Sequence, residues 1–206
     1  MEITGAEKSK KNKNRMSVYI DGRFSFTISE EDYLSLHLYD KKEINDEELD
    51  YIKNTLNFRS AKSAAVKYLS LKLRTEKEVR QKLREDGYDA GNIEKVVEEL
   101  KTIGYINNRL YAQKYVFDRS KLKPKSKKLL KLELQSRGIP ADVADEVLGD
   151  WNVDEAIVAA ELARRKFGKY DLTDEAVLKK VYMFLHHRGY NHDLIDDVVR
   201  NLGGRE

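Results

Sequence analysis

The sequence predicts a mostly α-helical fold: tandem three-helix repeats, three in number, in an elongated curved array, with an N-terminal β-hairpin. Two observations predict it. First, Leu-x-x-x-Gly recurs at Leu83 to Gly87, Leu134 to Gly138 and Leu185 to Gly189, with successive glycines 51 residues apart. A fixed period of this size is the signature of a repeated supersecondary unit whose members contact mainly their neighbours. Second, Met16–Ile20 and Arg23–Ile28 alternate apolar and other residues around Asp21-Gly22. That dipeptide supplies the two positive φ angles of a type I′ turn. An isolated hairpin is marginal in water, so this one must pack on a helix or oligomerise.

Taken in order, residues 1–14 read as a flexible basic arm, with Lys8, Lys10, Lys11, Lys13 and then Arg15 in one cluster. Residues 15–59 hold the hairpin and short helices. Ser29 suits the N-cap of a helix running through Leu36, and Asn45 the N-cap of one with Asp46, Glu47 and Glu48 in its first turn, where the helix dipole favours acids. That helix buries Leu49, Ile52 and Leu56. Repeat one spans 60–106, with helices near 60–73, 75–86 and 90–102. Its middle helix opens on Thr75-x-x-Glu78, a capping box. Repeat two spans 107–151, with helices near 108–121, 124–137 and 140–149. Asn107 suits its first cap, and Pro124 and Pro140 suit first helical turns. Repeat three spans 152–206, with helices near 153–167, 173–187 and 191–202 and with Asn152 and Asn191 as caps. In each repeat the leucine four before the glycine and the apolar residue eight before it (Val79, Leu130, Val181) share one helix face. The glycine then ends the helix in the left-handed conformation, and Tyr88, Ile139 or Tyr190 folds back onto the last turn.

Composition narrows the class. The 206 residues contain no cysteine and two prolines, which excludes a disulfide scaffold and a cysteine-based zinc site. No apolar run approaches the ~20 residues of a membrane span, and the basic N-terminus lacks the apolar core of a secretory signal. A cytoplasmic protein is the expectation. Net charge is only +3, yet the charges are segregated. Asp40–Asp50 and Asp142–Glu155 are acidic, whereas from Arg119 to Lys131 there is no acid.

Three basic sets are the candidate binding residues. The strongest is Arg119, Lys121, Lys123, Lys125, Lys127, Lys128 and Lys131, a run expected to meet phosphate or an acidic protein surface. On a helix over 124–137, Lys125, Lys128 and Lys121 would project from one side, with Leu129, Leu130 and Leu134 inward. The plain alternative is a solvated helix face. On repeat one, Lys67, Lys72, Arg74, Lys77, Arg80 and Arg84 form a second set, in which Arg80 and Arg84 could equally pair with Glu76, Glu78 or Glu85 for ~0.5 kcal/mol or less. Arg164, Arg165 and Lys166 form the third. Nothing here carries base-reading geometry, so contact without sequence specificity is expected. Tyr68, Tyr105, Tyr111 and Tyr115 could stack on bases, but their spacing favours the core. Trp151 reads as a plug between repeats two and three. His186, His187 and His192 are the one metal-like cluster; adjacent histidines on a helix point apart, and no carboxylate or cysteine completes a tetrahedron. There is no Gly-x-x-x-x-Gly-Lys-Ser/Thr loop. No enzyme activity, cofactor or metal is expected.

The motifs also resemble a known family. Tyr68-Leu69-Ser70-x-Lys72-x-Arg74-Thr75-x-Lys77-Glu78-Val79-x-x-Lys82-Leu83-x-x-x-Gly87-Tyr88 is similar to the opening motif of the RecX family of recombinase regulators. Gly104-Tyr105-Ile106-Asn107-Asn108-x-x-Tyr111-Ala112-x-x-Tyr115-Val116 resembles its second motif, and Glu133-Leu134-x-x-x-Gly138-Ile139 its third. The likeness covers roughly residues 60–202. Asn108 stands where the family often has Asp, and Ser126 near a common glycine. The resemblance implies tandem three-helix repeats that bind RecA, lie in the groove of its filament on single-stranded DNA, and block extension or promote disassembly, which restrains ATP hydrolysis and strand exchange. It implies no catalytic residues. Arg74 and Lys77 match its motif positions. Partners are then RecA and, weakly, single- and double-stranded DNA; a monomer is expected. A sequence-independent DNA-binding helical module is the alternative.

Overall fold

The computed structural model describes residues 1–204 and divides the chain into two units, residues 1–107 and the residues from Asn108 on. The first unit opens with a three-stranded antiparallel sheet in the order β1 (Ile3–Lys8), β2 (Arg15–Ile20), β3 (Arg23–Ser29). The hairpin β2–β3 turns through Asp21 (φ 49°) and Gly22 (φ 76°), as its dipeptide requires. Residues 1–14 are therefore not a flexible arm: Ile3–Lys8 pairs along β2, with Lys8 opposite Met16. The segment Ile-Thr-Gly-Ala-Glu-Lys lacks an apolar alternation because it forms an edge strand, open to solvent over most of its length. One sheet face buries Val18, Ile20, Phe26 and Ile28 against Leu38, Ile44 and Ile52, which answers the hairpin's need for a packing partner. Ser29 caps α1 (Glu30–Ser35), and Asn45 caps α2 (Asp46–Asp50) with a full capping box to Glu48.

Helix α2 does not stop. It passes through a π-helical turn, Tyr51–Leu56, straight into α3 (Asn57–Ser70), and the junction residues all keep right-handed helical angles. No glycine or proline interrupts this stretch, so the helix expected near 60–73 begins upstream of Ser60. Repeat one continues with α4 (Glu76–Glu85), whose Thr75/Glu78 capping box is present, and α5 (Ala90–Thr102), capped by Asp89. Its core packs Ala61, Ala65, Val79, Leu83, Val96, Val97 and Leu100. Fully burying a side chain such as Leu83 stabilises by ~2 kcal/mol.

In the second unit, repeat two comprises α6 (Asn108–Leu122), α7 (Lys127–Ser136) and α8 (Ala141–Asp150). Repeat three comprises α9 (Glu155–Phe167), α10 (Glu175–His186) and α11 (His192–Leu202). Each repeat carries its own apolar cluster, centred on Leu130 and Leu134 in one and on Val181, Leu185 and Ile195 in the other. Trp151 packs against the repeat-two cluster. Three caps differ from expectation, and a fourth, that of α10, had none assigned. Ser126, not Pro124, begins α7; Pro140 is the cap residue of α8 rather than part of its first turn; Asp154, not Asn152, caps α9; and Asp174 caps α10. In three of the four an oxygen that can accept from the first-turn N–H groups sets the start. Asn191 caps α11 as expected.

The period itself is a Schellman cap used three times. Gly87, Gly138 and Gly189 have φ of 84°, 85° and 83°. In each, the following residue's N–H reaches the carbonyl of the recurring leucine: Tyr88 to Leu83, Ile139 to Leu134, Tyr190 to Leu185. Ile139 and Tyr190 are buried by this fold-back.

Candidate nucleic-acid and partner interface

Folding sorts the basic residues by what lies beside them. In the 119–131 run, the absence of acid holds only along the sequence. Glu133, two turns into the helix that Ser126 caps, faces Lys125 in an ion pair, lies 3.7 Å from the Arg119 guanidinium and accepts a hydrogen bond from the Tyr115 hydroxyl. Burial pushes the Glu133 carboxyl up, but Lys125, Tyr115 and Arg119 together outweigh it and hold the group below its ordinary value. Arg119 also lies over Tyr115. Lys131 pairs with Asp145 at 2.6 Å. Lys127 donates its backbone N–H to Glu155 across to repeat three. Lys121, Lys123 and Lys128 remain exposed. Lys125 precedes α7 rather than riding on it, so the shared face expected for Lys121, Lys125 and Lys128 is not formed by one helix. Three of the seven cations are thus neutralised locally. Arg109, on the first turn of α6, likewise takes up Glu146 and Asp150 from the acidic stretch.

Repeat one behaves similarly. Arg80 is held by Glu76 and by both oxygens of Glu94, and Lys82 by Asp86. Arg74 stacks on Tyr68 at 4.1 Å and sits 3.9 Å from Glu78. Lys72 and Lys77 are exposed at the α3–α4 junction. Tyr111 and Tyr115 stack on each other, half-buried, whereas Tyr105 is 55 % exposed.

Repeat three is different. Arg164, Arg165 and Lys166 end α9 on its exposed side. Lys166 reaches over α10, where it joins cations that sequence reading missed. Lys179, Lys180, Phe184, His187 and Arg188 line one groove of about 620 Å³ with it. The Lys166 ammonium is 4.2 Å and the Arg188 guanidinium 3.9 Å from the Phe184 ring. Among the described residues, none of these four Lys and Arg side chains has an ion-pair partner, and the Arg188 Nε is buried without a hydrogen-bond partner. The signal was present as Lys180, Phe184 and Arg188 at i, i+4 and i+8, the first two on one face of α10 and the third in the turn that ends it. Unpaired cations around an aromatic ring suit a phosphate-bearing chain with an unstacked base. Among the described residues, no three His, Cys, Asp or Glu groups converge. His192 contacts the Tyr182 hydroxyl.

Helical triplets, each with its own local core, define a protein of the three-helix-repeat class. Comparison with known proteins gives the family. Four models match in sequence order: "Regulatory protein RecX N-terminal domain" over residues 1–45, and the first, second and third RecX three-helix domains over 61–100, 107–148 and 154–199. The chain is 34 % identical to Regulatory protein RecX of Clostridium botulinum (strain Eklund 17B / Type B), over 97 % of this chain and 95 % of that one. It is 30 % identical to the protein of the same name from Clostridium perfringens (strain SM101 / Type A), over 100 % and 98 %. A crystal structure of RecX from Lactobacillus salivarius aligns with a TM-score of 0.64 at 28 % identity, over 71 % of this chain and 96 % of that one. A second, "Crystal structure of regulatory protein RecX", aligns with a TM-score of 0.66 at 23 % identity over 96 % and 98 %, a likeness of fold. The chain belongs to the RecX family of regulatory proteins. No helix among the described residues is long and apolar enough to cross a membrane.

Proposed function

We propose that this chain is a non-enzymatic cytoplasmic regulator that binds RecA filaments on single-stranded DNA and limits their extension or promotes their disassembly. The single observation that carries the reading is the match of all four RecX domains, in order, along the chain. The α9–α10 groove supports a role for it on the DNA or on an acidic face of the filament, together with Lys72, Lys77, Lys121, Lys123 and Lys128. Arg119, Lys125 and Lys131 contribute little, because their charges are already met by Glu133 and Asp145.

The test is a titration of RecA ATPase and strand exchange on single-stranded DNA, beside anisotropy of this protein on the same bare DNA. Inhibition below one-to-one stoichiometry, at salt where bare-DNA binding has vanished, is the expected result. Inhibition only where the protein also coats naked strand would overturn it in favour of a sequence-independent DNA-binding module, the second reading, which the unpaired cations of the groove favour. That module would show a steep fall of affinity with salt and no dependence on RecA.

A further inference from the structure

The second face of the N-terminal sheet does not bury an apolar core. It carries Ser17, Ser25 and Thr27, small hydroxyl residues, with Tyr19 and Phe24 at its rim. Opposite stand the π-helical turn and the Gly87–Asn92 turn of repeat one, and between them lies a cavity of about 740 Å³. That volume is within the range of small-molecule sites.

Its polar lining is unevenly satisfied. Asn92 is 4 % exposed and lines the cavity. Its amide nitrogen donates to the Lys53 carbonyl at 2.8 Å and to Asp89 Oδ2 at 2.6 Å, and these two acceptors fix which way the amide points. Its Oδ1 is then left buried with no hydrogen-bond partner among the described residues. An acceptor in this state carries a desolvation penalty that an arriving donor would remove. Charge is uneven too. Lys10, Lys11 and Lys53 border the cavity, and their side chains have no carboxylate partner among the described residues (Lys53 supplies only its carbonyl). Of the two acids there, Glu7 accepts from the Tyr19 hydroxyl, and Asp89 caps α5. Behind the wall, Arg15 is 3 % exposed and lies 4.0 Å over the Tyr88 ring. It donates to Thr27 and Asn57, and among the described residues it makes no ion pair with a carboxylate, so it adds a buried positive charge. Phe24 is 59 % exposed at the mouth, edge-on to Tyr19.

We propose that this cavity binds a nucleotide. Lys10, Lys11 and Lys53 with the sheet hydroxyls meet the phosphates, Phe24 and Tyr19 offer a stacking surface for the base, and Asn92 Oδ1 accepts from an exocyclic amine. The same chemistry is offered by a free nucleotide and by the phosphorylated end of a DNA strand.

The test uses the full chain. Calorimetry with ATP, ADP, adenosine and inorganic phosphate is run on the wild type and on Lys53→Glu, Phe24→Ser and Ser25→Trp, with melting curves to confirm folding. Saturable binding of ATP or ADP, at least about tenfold tighter than of adenosine or phosphate, is expected, since each lost contact of about 1.4 kcal/mol is tenfold. Lys53→Glu and Phe24→Ser should each weaken it about tenfold, and Ser25→Trp should abolish it by filling the cavity. Displacement of the nucleotide by a short end-phosphorylated strand, and not by its unphosphorylated counterpart, assigns the strand end as the source; no displacement assigns the free nucleotide; either keeps the cavity. No saturable binding, phosphate binding as tightly as ATP, or equal affinity in folded Ser25→Trp overturns the proposal.

Discussion

Replacing Gly189 by alanine tests the contact that joins repeats two and three. Two costs add at this position. Any residue with a Cβ resists φ of 83°, at about 1–2 kcal/mol. A Cβ built there would also lie 2.6 Å from the Leu129 Cβ and 2.6 Å from the Ser126 Oγ, well inside van der Waals contact. Leu129 Cβ is anchored to the α7 backbone, and Ser126 is committed as the α7 cap and as a donor to the Gly189 carbonyl at 2.7 Å. The clash therefore cannot be relieved by swinging a flexible tip aside, and overpacking of this kind costs about 1–3 kcal/mol more. Gly104 is the control. Its φ is 82°, but nothing stands within 4 Å of its Cβ position, so Gly104→Ala should show the conformational cost alone.

The expected losses are thus about 2–5 kcal/mol for Gly189→Ala and about 1–2 for Gly104→Ala. In a unit of this size each kcal/mol lowers the midpoint by about 4–8 °C. Trp151, the sole tryptophan, packs in the second unit, so its fluorescence follows Gly189→Ala, and hydrogen exchange of the α4 and α5 peptides follows Gly104→Ala in the first. Ser126→Gly on top of Gly189→Ala should recover part of the loss, because the two side chains then no longer compete for one space. Equal losses at the two glycines, or no coupling to Ser126, would refute the tight repeat-to-repeat contact.

Arg15→Met should destabilise the first unit by about 2–4 kcal/mol in urea denaturation, because it strips the donor from Thr27 and Asn57 inside the fold; a loss under about 0.5 kcal/mol would show that the guanidinium is solvated. Glu133 is held below its ordinary pKa, so its stabilising share is present above the unfolded value near ~4.3 and fades as pH falls through the folded value. Glu133→Gln should therefore flatten the acid limb of the fluorescence-detected stability curve, and by releasing Lys125 and Arg119 it should steepen the salt dependence of DNA binding; an unchanged acid limb counts against the network. Tyr190 is pushed up to about 12, by burial first and then by Glu155. Its stabilising share is complete below the unfolded value near ~10 and is lost as pH rises through the folded one. Its hydroxyl has no hydrogen-bond partner among the described residues, so Tyr190→Phe should cost less than about 0.5 kcal/mol at neutral pH and remove the alkaline loss; a large neutral-pH cost in a melt would mean the hydroxyl is bonded after all.

The fold was legible because its punctuation is local. A Schellman cap needs a glycine, a leucine four residues earlier and an apolar residue after it, and all three signals lie within one short window of sequence. Capping boxes at Asn45 and Thr75 are equally short-range. Strand β1 was not legible, because an edge strand paired on one side needs no apolar alternation, and its basic neighbours mimic an arm. The run from α2 through the π-helical turn into α3 was hidden for the opposite reason: Asn45 marks a start, but the sequence around Tyr51–Leu56 carries no stop, and only packing against the sheet selects the wider helical turn.

The candidate site was less legible than the fold, and the reason is geometric. Charge along a chain is read over neighbours in sequence, whereas neutralisation happens between neighbours in space. Arg119 and Lys125 precede Glu133 by 14 and 8 residues, and a turn between α6 and α7 brings all three together. Lys131 and Asp145 meet because α7 and α8, joined through the cap glycine Gly138, pack against each other. The helix packing that the period of 51 encodes thus neutralises three of the seven cations in the basic run that stood out in the sequence. In repeat three the helix pair α9–α10 does the reverse. Lys166 comes from one helix, Lys179 and Lys180 from the other and Arg188 from the turn that ends it, none ion-paired among the described residues, so a weaker linear signal becomes a denser field. A basic run is a reliable site only when the helix packed against it is also free of acids, and that test can be applied to the sequence once the repeat period is known.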